Sequence, residues 1–134
     1  EMMMTIVYQV NKKVTLEQFV FVLTDSTLAK RRPTDDASVM QAMLDNADLT
    51  VTAWQEEKLV GIARCVTDFA YCCYLSDLAV SEHLQHQGIG KKLIALVEEQ
   101  LPKTCKLILL ASPKASEYYG KIGFTQHPRA WVKS

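Results

Sequence analysis

Residues 85–93, QHQGIGKKL, set two glycines and two lysines directly ahead of an apolar helical pattern and after a strand-like run. In a strand-to-helix turn, Gly88 and Gly90 lack the Cβ atoms that hold a ligand away from the backbone. The helix that follows offers unpaired N–H groups and a partial positive charge of about half an electron. The chemistry on offer is anion binding. Lys91 and Lys92 fall in the first helical turn, where a cation is unfavourable for the helix and a phosphate partner offsets that cost. The same residues also suit a tight turn with solvated lysines, and a short GxG motif does not separate the two. Two other phosphate loops fail on spacing. A Walker loop needs glycine where Gln85 stands and Ser or Thr where Lys92 stands, and a dinucleotide fingerprint needs glycine at Leu93.

The elements that must position this turn follow from periodicity. TIVYQV (5–10) is β-rich, and Thr15 with Gln18 forms a T-x-x-Q capping box ahead of Leu16, Phe19, Val20 and Leu23 at helical spacing. KRRPTDD (30–36) reads as a loop whose Asp35 or Asp36 caps a second short helix. LTVTAWQ (49–55) and KLVGIARCV (58–66) form an antiparallel hairpin around Glu56 and Glu57, and YCCYLSDLAV (71–80) is a third, largely buried strand. Ile89, Leu93, Ile94, Val97 and Leu101 share one helical face that Pro102 ends. KLILLA (106–111) reads as a strand covered on both faces, residues 114–121 as a helix with Gly123 as its left-handed cap, and the tail as one or two short strands. The order β-α-α-β-β-β-α-β-α-β predicts a mixed α/β fold around a single sheet, in one domain spanning residues 1–134.

Composition narrows the functions available. Fifteen basic residues balance fifteen acidic ones, so no global field favours nucleic acid, an anionic membrane or an acidic substrate, and any charge selectivity is local. No basic stripe with interleaved aromatics supports nucleic-acid binding. Cys65, Cys72, Cys73 and Cys105 contain no CxxC and suit a reducing compartment, while His83, His86 and His127 show no metal-ligand spacing. We therefore expect no metal. No stretch approaches the roughly 20 apolar residues of a membrane span and the start carries no leader pattern, so the expectation is a soluble, cytoplasmic protein.

LAVSEHLQHQGIGKKL (78–93) resembles the acetyl-CoA signature of the GCN5-related N-acetyltransferases (GNAT), Q/R-x-x-G-x-G/A after an apolar strand end, with Gln85, Gly88 and Gly90 in the motif positions. ASEYYGKIGF (115–124) is similar to the family's A-x-x-F-Y-x-x-x-G-F block, filled by Ala115, Tyr119, Gly123 and Phe124. The resemblance implies the acyl-CoA N-acyltransferase fold, a mixed, mostly antiparallel central sheet flanked by helices. It implies acetyl-CoA as donor, its pyrophosphate on the turn Gln85, His86, Gln87, Gly88, Ile89, Gly90 and Lys91, and its pantetheine along exposed backbone of Leu78, Ala79 and Val80. It also implies transfer to a primary amine, on a small molecule more than on a protein. Tyr119 occupies the family position of the acid that protonates the departing thiolate, while Tyr118 stands where the family usually carries Phe and is expected to pack.

An amine resembling lysine titrates near roughly 10.4, so its proton must be removed or disfavoured by the site. Ser76 stands where many relatives carry a glutamate, which leaves Asp77 as the nearest candidate base, with Asp68 and His86 further off and a water relay or desolvation as alternatives. Asp77 also fits a strand-end role bonded to backbone. Arg31 and Arg32 either attract an anionic substrate or are simply solvated, and Trp54, Tyr71 and Tyr74 either line an acceptor pocket or belong to the core. Only eleven residues follow Gly123, so the resemblance implies a short closing hairpin, an open acceptor site or one completed by a partner, and a homodimer is a reasonable assembly. A non-catalytic acyl-CoA-binding or sensing module is the competing reading.

Overall fold

Two capped helices follow the first strand because their first turns carry their own acceptors. In the computed structural model, which describes residues 5–134, β1 spans Val7–Val10 and α1 spans Leu16–Asp25. The Thr15 hydroxyl accepts from Gln18 N–H (3.1 Å) while the Gln18 side chain accepts from Thr15 N–H (2.9 Å), the reciprocal box expected from the sequence. A single 3-10 turn, Leu28–Arg31, leads to α2 (Ala37–Asp45), whose cap is Asp36 accepting from Val39 N–H and the Ser38 hydroxyl. Those hydrogen bonds to the charged form hold the Asp36 carboxyl below its ordinary range.

β2 (Leu49–Gln55), β3 (Lys58–Thr67) and β4 (Cys72–Val80) continue an antiparallel meander from β1. A 3-10 turn at Glu82–Leu84 leads into α3 (Ile89–Glu99), which crosses over to β5 (Lys106–Ile108) lying parallel to β4. After a 3-10 turn at Pro113–Ala115 comes α4 (Tyr118–Lys121). The sheet order is β1-β2-β3-β4-β5. Alternation along the strands splits the core in two. Phe19, Val22, Leu23 and Met40 of α1 and α2 cover Trp54, Leu59, Ile62 and Ala79 on one face. On the other, Ile89, Leu93, Ile94 and Val97 of α3 cover Leu49, Val51, Ala53 and Ala63.

Three expectations are corrected. The run 106–111 is a strand only at Lys106–Ile108, and it is covered on one face: Leu107 and Leu109 pack on the α3 side, while Ile108 and Leu110 are exposed because α1 and α2 do not extend over this edge. The segment 114–121 divides into a 3-10 turn and a short helix. No strand forms in residues 125–134, where Trp131 and Val132 are exposed and the short β5 offers little ladder to join. The left-handed cap at Gly123 is present, with φ +103° and Phe124 N–H bonded to Tyr119 C=O (3.0 Å). Among the described residues no helix is long and apolar enough to cross a membrane.

The placement of α3 depends on Gly61 of β3. A Cβ built there would stand 3.2 Å from both Ala53 Cβ and Leu93 Cδ1 and 3.3 Å from Ile89 Cγ2, so the helix sits directly on a bare stretch of strand. Gly61→Val should lower stability by about 1–3 kcal/mol through overpacking, with Gly61→Ala intermediate, as read from urea unfolding midpoints.

Candidate active site

The glycine turn forms a helix-end cradle. Gly88 is the N-cap of α3 in left-handed conformation (φ +85°), with no side chain capping the helix. The first intrahelical bond runs from Lys92 N–H to Gly88 C=O (3.0 Å), so the N–H groups of Ile89, Gly90 and Lys91 point out of the helix end without an intrahelical acceptor. His86 is also left-handed (φ +65°) and, like Gln87 and Lys91, exposed. Gln85 acts inward: its Nε2 donates to Val80 C=O (3.0 Å), tying the turn to the end of β4. The Ile89 side chain is core, packed over Gly61, so its identity matters more than a cradle role alone implies.

From this turn β4 runs back with one side open. β5 pairs with it only at Cys72, Cys73 and Tyr74, leaving residues 75–80 without a strand partner on that side among the described residues. Ser81 N–H bonds to Val60 C=O (2.8 Å) on β3, and by antiparallel alternation Leu78 and Val80 turn their N–H and C=O groups to the open side while Ala79 faces β3. The strands have diverged into a slot.

The divergence coincides with a β-bulge. Arg64 pairs with Asp77 and Cys65 with Leu75, so Ser76 is the extra residue. Two arginines hold it. Arg32 Nε and Arg64 Nε donate to the two oxygens of Asp77, each at 2.5 Å. Arg32 Nη2 also donates to Ser76 C=O (2.8 Å), Arg64 Nη2 to Ser76 Oγ (2.9 Å) and Arg64 Nη1 to Met43 C=O (3.1 Å). Asp77 is fully buried with both oxygens engaged, the geometry of an ion-pair anchor more than of a base facing a substrate. Asp68, also weighed as a base, accepts from the N–H groups of Ala70, Tyr71 and Cys72, which hold its carboxyl below the ordinary range and commit it to the β3–β4 turn.

A cleft of about 460 Å³ opens beside the bulge on the α1 face, with Lys30, Arg31, Arg32, Tyr74, Ser76 and Ser112 among its lining residues. Of the three aromatics considered for an acceptor pocket, only Tyr74 lies here. Trp54 is core, its Nε1 bonded to Thr52 Oγ1 (2.7 Å), and Tyr71 stands exposed against Lys106.

Tyr119 is half-buried against the α3-side core, edge-on to Tyr118 (5.3 Å) and Phe124 (5.5 Å). Burial pushes its phenol pKa above the ordinary 10.0, with neighbouring Tyr118 adding to the rise. Tyr118 does more than pack. A Cβ built on Gly90 would lie 3.7 Å from the Tyr118 hydroxyl and 3.8 Å from Val80 Cγ2, so this phenol reaches the helix end. Its position in the sequence motif gave no sign of that. Sequence reasoning also missed the Arg32–Asp77–Arg64 triad and Gly61; same-face alternation of Arg64 and Asp77 on neighbouring strands was the one signal available.

Asp77→Asn should destabilise by about 3 kcal/mol, because two guanidinia then share one neutral carbonyl oxygen; thermal and denaturant unfolding measure it. Gly88→Ala should cost about 1–2 kcal/mol because of its left-handed backbone. Gly90→Ala, helical and with no contact tighter than ordinary van der Waals distance, should be neutral or stabilising by up to about 1 kcal/mol in the same assay.

Comparison with known proteins bears on the fold and the lineage of the chain. The profile of the Acetyltransferase (GNAT) domain family matches residues 13–133. An uncharacterized N-acetyltransferase, ycf52, of Gracilaria tenuistipitata is 29% identical over 112 residues, covering 79% of this chain and 60% of that protein. GCN5-related N-acetyltransferase 2, chloroplastic, of Arabidopsis thaliana is 34% identical over 76 residues, 55% of this chain and 30% of that protein. The chain thus spans 60% or less of these curated relatives. Among solved structures, a GNAT family acetyltransferase of Streptococcus pneumoniae superposes with a TM-score of 0.75 at 22% identity, covering 96% of this chain and 98% of that one. The aminoglycoside N-acetyltransferase AAC(6')-Iy in complex with CoA gives 0.73 at 18% identity, covering 99% and 96%. These likenesses show the fold, and the profile match over nearly the whole chain shows the lineage: this chain belongs to the GNAT acetyltransferase family.

Proposed function

We propose that the chain is a single-domain N-acetyltransferase that moves the acetyl group of acetyl-CoA to a primary amine, on a small molecule. The observation that carries this reading is the open side of β4, which leads from the α3 cradle to the cleft across the divergence from β5. A β-edge with free N–H and C=O groups suits a pantetheine arm, and outward N–H groups at a helix end suit its pyrophosphate. The donor's fit is tested by Gly88, where the space a Cβ would enter is open.

When bound, acetyl-CoA supplies an activated thioester. The outward N–H groups of Ile89, Gly90 and Lys91 hold the diphosphate, Lys91 adds charge, and Gln85 fixes the turn to β4. Leu78 and Val80 present backbone to the pantetheine, with Ala79 holding the strand to β3. At the divergence of β4 from β5, between the cleft on the α1 face and Tyr119 on the α3 face, the amine nitrogen bonds to the acetyl carbon as the carbon–sulfur bond breaks. The amine releases a proton to water, and the leaving thiolate takes one from the Tyr119 phenol, which solvent then restores. Asp77 serves by holding the bulge in place of removing the proton, since neither oxygen is free. Burial raises the Tyr119 pKa above 10.0, so its phenol stays protonated to higher pH than an exposed tyrosine does.

A second reading, a non-catalytic acyl-CoA-binding module, is favoured by one observation: among the described residues no carboxylate or imidazole lines the cleft. Turnover separates the two. In calorimetry wild type and Tyr119→Phe should bind acetyl-CoA alike, while Tyr119→Phe lowers amine-dependent release of CoA by about 10²-fold. The rate should rise with pH toward the amine's pKa and fall only above the ordinary tyrosine range. Unchanged turnover in Tyr119→Phe with a loss in Tyr118→Phe would move the acid to the hydroxyl beside Gly90, and binding without any turnover would establish the module.

A further inference from the structure

On the transferase reading, we infer that the acceptor is a primary amine bearing an anionic group, carboxylate or phosphate, held by Lys30 and Arg31 at the mouth of the cleft. Lys30, Arg31 and Arg32 all line the cleft, and among the described residues no carboxylate does. Arg32 is already neutralised in part: it shares the single charge of Asp77 with Arg64, so the triad itself retains one positive charge. Among the described residues neither Lys30 nor Arg31 enters an ion pair, and both are exposed. The acidic residues nearest in sequence, Asp25, Asp35 and Asp36, lie off the lining, and Asp36 is committed to the α2 cap.

Such a wall repels a polycationic acceptor and attracts one with negative charge. Because the chain carries no net charge, nothing long-range supplements or opposes that local field. The rest of the cleft sets the shape of the ligand. Leu28, Tyr74 and Leu110 give it apolar surface, and Val66, Tyr74 and Ile108 continue an exposed row across paired positions of β3, β4 and β5. An apolar spacer between amine and anion matches this layout: amine toward the strand divergence, spacer on Tyr74 and Leu110, anion at Lys30 and Arg31.

The test uses primary amines of matched length that differ at the far end: aminocaproate, aminohexyl phosphate, hexylamine and hexamethylenediamine, with acetyl-CoA binding verified by calorimetry in each protein. Wild type should prefer one or both anionic amines by kcat/KM, the better of the two naming the anion, and the preference should shrink as salt is raised. In Arg31→Gln and in Lys30→Gln the ratio of kcat/KM for the preferred anionic amine over hexylamine should fall by up to about fivefold each. Arg31→Glu should shift the preference toward hexamethylenediamine. Turnover that favours the neutral or dicationic amine, or a ratio unmoved in all three variants, overturns this inference and leaves the transferase standing. Acetyl-CoA bound with no amine turned over overturns the transferase reading and this inference with it.

Discussion

Everything in the site rests on one buried carboxylate shared by two guanidinia. Asp77, Arg64 and Arg32 lie on β4, β3 and the connection between the first two helices, so the triad joins both layers on the α1 side of the sheet. Burying Asp77 and Arg64 and partly burying Arg32 costs several kcal/mol per ion, and attraction offsets that only with further hydrogen bonds to the guanidinium donors. Here Ser76 C=O, Ser76 Oγ, Met43 C=O and Arg31 C=O each accept a further guanidinium N–H. The acceptors chosen explain what the triad is for. Two belong to the bulged Ser76, so the bulge is held in one geometry where β4 would otherwise be free to re-register against β3.

A second constraint fixes the other end of the slot. α3 must bring its N-terminus close to the open backbone of β4, and the sheet permits this because Gly61 removes a side chain under Ile89 and Leu93. Gln85 then links the turn to Val80 C=O. The cradle, the strand edge and the cleft are thus positioned by two devices on opposite faces of the sheet: a packing gap on the α3 face and an ion triad on the α1 face.

This division explains what was legible in the sequence. Local devices were readable because their partners lie a few residues apart: the Thr15–Gln18 box, an α2 cap narrowed to Asp35 or Asp36, the hairpin at Glu56 and Glu57, the left-handed Gly123. Non-local ones were not. Arg32 lies 45 positions from Asp77 in the chain and Arg64 lies 13, so neither pairing leaves a periodic trace. Asp77 was therefore weighed as a base or as a strand-end carboxylate bonded to backbone, and not as the centre of an ion triad. Gly61 passed as an ordinary strand residue for the same reason. The run 106–111 misled differently: continuous apolar sequence signals two covered faces, yet Ile108 and Leu110 stay exposed because β5 is an edge that the first two helices do not reach. Tyr118 and Tyr119 were separable only by direction, which adjacency in a short helix cannot supply.

The two ends of the proposed site are also built from different materials, and that difference has a consequence for specificity. At the donor end the groups that face a ligand are main-chain N–H and C=O, available to almost any sequence that keeps Gly88 and the fold. At the acceptor end they are side chains of a 3-10 turn and of the segment after β5, both at the surface and neither part of the sheet. Changing Lys30, Arg31 or Leu110 disturbs no core contact, whereas changing Arg32 breaks the triad. Arg31 and Arg32 are neighbours in sequence with opposite obligations. Arg32 gives its charge to the fold, and Arg31 keeps its charge for whatever enters the cleft. A chain with no net charge can therefore still discriminate by charge at one point, since the field at the proposed acceptor end comes from the cations that line the cleft without a counter-ion.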